Sequence, residues 1–372
     1  MKILVTGAKG FVGKNLICRL KNSGYDEIYE FSHDDNEEVL EKYTKDCDFV
    51  FHTAGVNRPQ NESEFNTGNT GLTGLLLEML ENNGNAVPVL MPSSTQAELD
   101  NPYGRSKKAA EKLVSAYGRK NDVSVYIYRM PNIFGKWSRP AYNSAVATFC
   151  HNIARGLPVT VNDADHMMTL AYIDDVAAEF IYDMENTNTA DKSFEWRSPA
   201  CPVYMVSLGK VADIIASFPE MRKNLQVPDM SDPFTSKLYS TYLSFLPEDG
   251  FAYPLKMCAD ERGSFTEFIR TEDRGQFSVN VSHPGVIKGQ HWHDSKNEKF
   301  LVVKGKGLIR FRKIGEDKVM DYHVSDDKLE AVDIPTGYTH CIINEGDSDM
   351  VTLMWANEPF DPVHPDTYRE NV

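Results

Sequence analysis

The sequence predicts two domains of different class: an α/β doubly wound parallel sheet over residues 1–245 and an all-β domain over 246–372. Two observations carry this. Apolar strand-like runs alternate with helix-like runs through about the first 180 residues, the pattern of parallel βαβ units. From Tyr253 onward the runs become short and alternating, with Gly and Asp turns between them and no helix-length pattern, as in a β-sandwich or barrel.

In chain order, Ile3–Thr6 is a short apolar strand that enters the turn Gly7-Ala-Lys-Gly-Phe-Val-Gly13, and Asn15–Lys21 continues as a helix. Ile28–Phe31 is the second strand, and Asp48–Thr53 is a buried strand after an acidic connection. Gly74–Glu81 is a leucine-rich helix, and Val87–Met91 is a strand that ends at Ser93-Ser94-Thr95. Tyr103–Tyr117 has helical spacing, and Ser124–Arg129 is the next strand. Asn224–Pro254 contains four prolines and is the expected junction. Beyond it, Gln276–Val281, Lys299–Val303, Leu308–Arg312 and Val351–Trp355 read as strands.

A length of 372 residues allows two cores. The net charge of −15 argues against nucleic acid or an anionic membrane as partner, while leaving room for a local basic pocket. No stretch approaches the ~20 apolar residues of a membrane span. The apolar start is short and runs into a glycine turn, so it reads as a first strand rather than a signal segment. Six scattered cysteines without a Cys-x-x-Cys pair suit reduced thiols in a cytoplasm.

Gly7-x-x-Gly10-x-x-Gly13 sits between a strand and a helix. Glycine permits a tight turn against a pyrophosphate, and the helix N-terminus offers free N–H groups. Tyr103 and Lys107 share one helix face at i, i+4. An adjacent ammonium favours phenolate and lowers a phenol pKa, which suits proton exchange with a substrate oxygen. Such a pair alone is usually a surface coincidence. Here Ser94 and Thr95 end the preceding strand, where a hydroxyl can hold the same oxygen.

These residues, together with His52-Thr-Ala-Gly55, Arg129-Met-Pro-Asn-Ile-Phe-Gly135 and Tyr172-Ile-Asp-Asp175, make residues 1–245 resemble an extended short-chain dehydrogenase/reductase. That Rossmann-like family usually acts on nucleotide sugars. The resemblance implies Tyr103 as proton donor, Lys107 as its activator and ribose anchor, and Thr95 or Ser94 as carbonyl holder. It implies cofactor contacts at Gly7, Lys9, Gly10, Phe11, Val12, Gly13, Ser32, His33 and Ala54, and a substrate contact at Asn132. Arg129 and Asp175 read as structural. The second strand ends Phe31-Ser32-His33, with no carboxylate placed to repel a 2′-phosphate although Asp34 and Asp35 are close, so NADPH is the expected cofactor. Gln96-Ala97 stands where sugar dehydratases of this family have Asp-Glu, which favours plain reduction.

In the second domain, His291-x-His293 alternates as a strand does and aims both imidazoles to one face. With Glu298 and His340, three imidazoles and a carboxylate suit Zn²⁺ or another first-row divalent ion. The pattern Gly285-x5-His291-x-His293-x4-Glu298-x6-Gly305, then Pro335-x-Gly337-x2-His340-x3-Asn344, resembles the two motifs of a cupin, a jelly-roll fold. Leu329 stands where the second motif usually begins with glycine. Asp260-Glu-Arg-Gly-Ser-Phe-Thr-Glu267, Lys288-Gly-Gln-His291 and Ile334-Pro-Thr-Gly-Tyr-Thr-His340 resemble nucleotide-sugar 3,5-epimerases, which implies His291 as base and substrate contacts at Arg262 and Glu267. Either of those two could instead form a structural ion pair. A metal-bound imidazole nitrogen has no free lone pair, so His291 cannot serve as both ligand and base. All four ligand positions are filled, which favours the ligand role and leaves the base unassigned.

The order of the modules resembles bacterial bifunctional reductase–epimerases of capsular polysaccharide synthesis, on the route to UDP-N-acetyl-L-fucosamine. That resemblance implies a UDP-2-acetamido-2,6-dideoxy-4-keto-hexose substrate, epimerised at C3 by the cupin domain. NADPH-dependent reduction at C4 would then give UDP-2-acetamido-2,6-dideoxy-L-talose. The alternative is a single-step 4-ketoreductase carrying a non-catalytic cupin for dimerisation or sensing. Cupins often pair, so a homodimer is expected.

Overall fold

The structure is a computed structural model that describes residues 1–57, 61, 63–189, 192–271 and 274–372. The chain divides into two compact units, Met1–Ala216 with Lys237–Pro247, and Ser217–Ser236 with Glu248–Val372.

In the first unit a six-stranded parallel sheet runs from edge to edge as Ile28–Phe31, Ile3–Thr6, Phe49–His52, Val89–Ser94, Val125–Met130 and Trp196–Arg197. Its strands are apolar on both faces because both faces are covered. Ile3, Val5, Phe49, Phe51, Tyr126 and Tyr128 point to one side, against the helices Phe11–Asn22 and Ile173–Glu185. Leu4, Val50, Val89, Met91, Val125 and Ile127 point to the other, against Glu37–Thr44, Leu72–Asn82 and Pro102–Asn121. This is the doubly wound α/β architecture expected. Asn132–Phe134, Met167–Tyr172 and Val203–Ser207 form a separate small sheet.

Two boundaries differ from expectation in ways that matter for the site. The first helix begins at Phe11, directly after Gly10, so Gly13 lies inside it. The strand Val89–Ser94 runs on through both serines, which brings the Ser94 hydroxyl to its C-terminal end. The proline-rich junction also contains a helix, Pro233–Leu243. Proline is tolerated at the first helical position, and Asp232 caps this helix by accepting from the Thr235 N–H at 3.0 Å.

The second unit is all-β in its sheets. A six-stranded antiparallel sheet has the order Met257–Asp260, Gly263–Thr271, Gly275–Ser282, Met350–Ala356, Glu298–Lys304 and Ala331–Ile334. A five-stranded antiparallel sheet has the order Val319–Ser325, Lys306–Lys313, Tyr338–Asn344, Ile287–Trp292 and Tyr368–Arg369. Phe300, Val302, Val332, Ile334 and Met350 from the first sheet pack on Ile309, Phe311, Val324 and Ile342 from the second, as in a cupin jelly roll. Glycine is not required at Leu329. The chain turns earlier, at Asp326–Asp327, and Leu329 does not have positive φ.

Candidate functional site

Each unit contains a cavity. In the first, about 900 Å³ is lined by Lys9, Gly10, Phe11, Val12 and His33 on one side, and by Ser94, Thr95, Tyr103, Lys107 and Asn132 on the other. Gly7 has φ 71°, and a Cβ there would lie 2.7 Å from the Ala54 Cα. A Cβ on Gly13 would lie 2.3 Å from the Gly7 carbonyl oxygen. Those two glycines let the turn close; Gly7, Gly13, Ser32 and Ala54 stand behind the cavity wall rather than on it. The helix that follows has no side-chain cap and no acidic residue in its first turn. Its free N–H groups therefore remain available to an anion.

At the end of the second strand the Ser32 amide and hydroxyl both donate to Asp35, at 2.7 and 3.0 Å. Asp34 pairs with Lys9 at 2.6 Å. Both nearby carboxylates are thus engaged, while the His33 side chain is open to solvent.

Tyr103 lies in the first turn of Pro102–Asn121, a helix capped by Asn101, which accepts from the Gly104 N–H at 2.7 Å. One turn later Lys107 is buried, and its Nζ donates to the Pro92 carbonyl at 3.3 Å. Burial pushes the Lys107 pKa down to about 8, against the pull of Glu111. The Tyr103 phenol departs from expectation: its pKa is raised, not lowered. Burial is the largest cause and Tyr142 adds to it, while a hydrogen bond with Ser94 acts the other way.

Arg129 is buried and holds Glu111 through Nε and Nη2, at 3.0 and 2.8 Å, and Glu98 through Nη1 at 3.0 Å. Asp175 pairs with Lys237 at 2.5 Å. Neither residue lines the cavity. His52 bridges Thr6 and Thr73 at 2.7 and 2.8 Å, and burial lowers its pKa to about 3. Sequence reasoning missed Lys14, Trp137, Arg139 and Tyr142, which also line the cavity. Three of the four sit on an irregular loop after Gly135, where Trp137 and Ala141 have positive φ. No periodicity marks such a loop.

In the second unit His291, His293, Glu298 and His340 converge, with one potential ligand atom from each lying within 4.8 Å of all the others. They come from three segments: the strand Ile287–Trp292 and the residue after it, the start of Glu298–Lys304, and the middle of Tyr338–Asn344. His293 Nε2 and His340 Nε2 each lie 3.4 Å from Glu298 Oε2. His293 Nδ1 bonds the Asp366 carbonyl oxygen, which leaves Nε2 for the cluster. The Asp366 carboxylate accepts the N–H groups of Asp294, Ser295 and Lys296 at 2.7–2.8 Å, bracing the loop after His293.

Four buried atoms here have no hydrogen-bond partner: His293 Nε2, Glu298 Oε2, and both ring nitrogens of His340. Buried polar atoms are nearly always paired, so four unpaired ones in a single cluster of ligand type fit a bound cation. Burial would raise the Glu298 pKa, but the His293 and His340 rings hold it well below the usual carboxylate range. Burial, reinforced by the neighbouring imidazoles, lowers His291 to about 4. Burial lowers His293 as well, but its bonds to Glu298 and to the Asp366 carbonyl raise it overall; a divalent metal binds the neutral rings and the carboxylate.

This cluster forms part of the wall of a cavity of about 770 Å³, which also includes Arg262 and Glu267. Arg262 holds Asp260 through Nε and Nη2, at 3.0 and 2.5 Å. Glu267 accepts from Arg270 Nε at 3.1 Å. Both substrate candidates therefore face the cavity while engaged in ion pairs. Lys288 and Asn280 line it as well, and sequence reasoning assigned neither a role.

Residues 3–195 match the NAD dependent epimerase/dehydratase family, and residues 258–368 match the Polysaccharide biosynthesis C-terminal domain. A UDP-2-acetamido-2,6-beta-L-arabino-hexul-4-ose reductase of Pseudomonas aeruginosa is 46% identical over 372 residues, covering 100% of this chain and 99% of that one. The spore coat polysaccharide biosynthesis protein SpsL of Bacillus subtilis is 26% identical over 121 residues, 30% of this chain and 80% of its own. Among solved structures, the capsular polysaccharide assembling protein CapF of Staphylococcus aureus superposes with a TM-score of 0.93 at 50% identity, covering 100% of both chains.

Proposed function

The chain belongs to the NAD dependent epimerase/dehydratase family, and from that premise we propose that it performs two steps on one UDP-linked keto sugar. UDP-2-acetamido-2,6-dideoxy-4-keto-hexose is epimerised at C3 in the C-terminal cavity. The epimer is then reduced at C4 in the N-terminal cavity, giving UDP-2-acetamido-2,6-dideoxy-L-talose for capsular polysaccharide. The observation that carries this reading is the full-length match to a UDP-keto-sugar reductase by a chain with two separately equipped cavities.

In the N-terminal cavity Tyr103 delivers a proton to the C4 oxygen, which Ser94 and Thr95 hold by hydrogen bonds. The uncapped helix start at Phe11 receives a pyrophosphate, and Asn132 contacts the sugar or diphosphate. NADPH, bound along the glycine turn, supplies the hydride. NADPH rather than NADH is supported by the Lys9–Asp34 pair, which brings an ammonium to the end of the second strand and balances the Asp34 charge. A KM for NADH well below that for NADPH would overturn this preference.

In the C-terminal cavity His291, His293, Glu298 and His340 would hold Zn²⁺ or a similar ion, whose positive charge would be available to polarise an oxygen of the substrate. A hydrogen beside a ketone is acidic because the enolate spreads its charge onto oxygen. Epimerisation near equilibrium yields a mixture, and reduction draws off one member. Both steps need the same ketone, which gives one chain reason to carry both sites.

The ion-paired state of Arg262 and Glu267 favours the competing reading, a single-step reductase with a non-catalytic cupin. Solvent-deuterium exchange at C3 of the keto sugar, with NADPH omitted, separates the two. Exchange by the metal-loaded enzyme supports epimerisation, and its absence leaves only the reductase.

The scattered free thiols support a cytoplasmic enzyme, and no helix among the described residues is long and apolar enough to cross a membrane. A homodimer through the outer face of the six-stranded antiparallel sheet is supported by exposed Phe277 and Leu353 on adjacent strands. A monomeric mass by light scattering would refute it.

A further inference from the structure

Lys288 reaches the C-terminal cavity through an irregularity of the backbone. It lies three residues before His291 on the strand Ile287–Trp292, and in a regular strand residues at odd spacing face opposite sides. This strand is not regular. Lys288 pairs with Ile342 and Gly289 with Cys341, but the next pair is His291 with His340, so Gln290 is left over as a bulge. Gly289 and Gln290 have φ of 102° and 60°, the second disfavoured for any side chain. The bulge turns Lys288 and His291 to the same face as Ile342 and His340, and all four line the cavity. A strained position that re-aims a side chain into a pocket points to use rather than accident.

The contacts of Lys288 specify its chemistry. Nζ lies 2.8 Å from Asn280 Oδ1 and 2.8 Å from the Val281 carbonyl oxygen. Both are neutral acceptors. Once deprotonated, the amine would have two N–H donors for these two acceptors and one lone pair left over. The carboxylates and imidazoles of the cavity are committed: Asp260 to Arg262, Glu267 to Arg270, and Glu298 with His291, His293 and His340 to the candidate metal-ligand cluster. Burial lowers the Lys288 pKa, and the charged groups acting on it, Asp260 and Arg262, oppose each other.

We propose that Lys288 is the base of the C-terminal cavity, its Nζ lone pair taking the C3 proton of the UDP-linked 4-keto sugar. This rests on the epimerase reading above. The C3–H bond breaks and its electron pair forms a C3–C4 double bond. The carbonyl π pair moves to the C4 oxygen, giving an enolate, and Nζ becomes an ammonium. A proton derived from water returns to C3 on the opposite face, and the ammonium gives its own proton to solvent. No oxidant or reductant is consumed.

The test is C3 deuterium incorporation by NMR in D₂O, using the full-length metal-loaded enzyme with the keto sugar and no NADPH. Lys288→Ala and Lys288→Arg should each lower the exchange rate by about 10²-fold or more, the range of general-base contributions. Added methylamine should restore part of the rate to the alanine variant. A merely structural lysine would not respond to a free amine. Exchange within about threefold of wild type in Lys288→Arg would show that only the positive charge matters, and would overturn the proposal, since a guanidinium stays protonated. If Lys288→Ala loses its metal or its fold, the arginine variant decides. Failure of the wild-type enzyme to exchange would instead remove the epimerase reading itself.

Discussion

The two cavities are built by different means. In the N-terminal one, the cofactor turn, the Ser94–Thr95 hydroxyls and the Tyr103–Lys107 pair occupy the ends of regular elements in a parallel sheet. Their spacing along the chain already implies their proximity. In the C-terminal one, the metal-ligand cluster draws on three segments, and Lys288 enters only because one strand carries an extra residue. Regular geometry makes the first site readable from period and order, whereas in the second the contacts between strands decide which side chains meet.

Disabling one cavity while measuring the other tests whether the two act independently. Tyr103→Phe should cut NADPH oxidation by about 10²-fold or more while leaving C3 exchange intact; loss of both would show that the cavities do not act independently. Stripping the metal comes next. It should lower the stability of the C-terminal unit by about 2.7 kcal/mol at a free-ion concentration of 100 times Kd, seen as a lower melting temperature in calorimetry. Reduction of an already epimerised keto sugar should persist.

Gly289→Ala probes the bulge directly. A Cβ there would meet the His340 carbonyl oxygen at 2.8 Å in a backbone of positive φ. The expected cost is about 1–3 kcal/mol in urea unfolding, with C3 exchange falling alongside. An unchanged urea midpoint would mean that the strand relaxes without the bulge.

The smallest effect concerns Lys107. Its folded pKa of about 8 lies below the ordinary 10.5, so between those values the unfolded chain binds a proton that the folded chain does not. Stability therefore rises with pH across that window. At neutral pH the buried ammonium is a burden, and Lys107→Met should stabilise the first unit by about 1 kcal/mol, allowing for its lost hydrogen bond to Pro92. That gain should shrink toward pH 10 and be accompanied by reduced NADPH oxidation. Urea midpoints at the two pH values measure it.

Much of the architecture was legible beforehand. Ile3–Thr6 and Ile28–Phe31 form as expected, and the four C-terminal strands read from the sequence differ only at their ends, because apolar runs bounded by turn residues have few other ways to be buried; Gly263–Thr271, Val319–Ser325 and Tyr338–Asn344 were not marked out as strands. The helix Pro233–Leu243 was hidden by the prolines of the junction, although one of them starts it. The ion pairs of Arg262 and Glu267 could be named only as an alternative, since their partners become definite once strands pair.

Local sequence specified the glycine turn, the Tyr103–Lys107 face and the four residues His291, His293, Glu298 and His340 that could hold a metal ion, because each depends on a local period or on spacing within a recognisable motif. Tertiary structure alone decided that the Tyr103 pKa rises rather than falls, that Lys288 shares a face with His291, and that Leu329 needs no glycine. Burial, a bulge and the place where a turn closes are set by contacts with distant segments, and no local pattern in the chain carries that information.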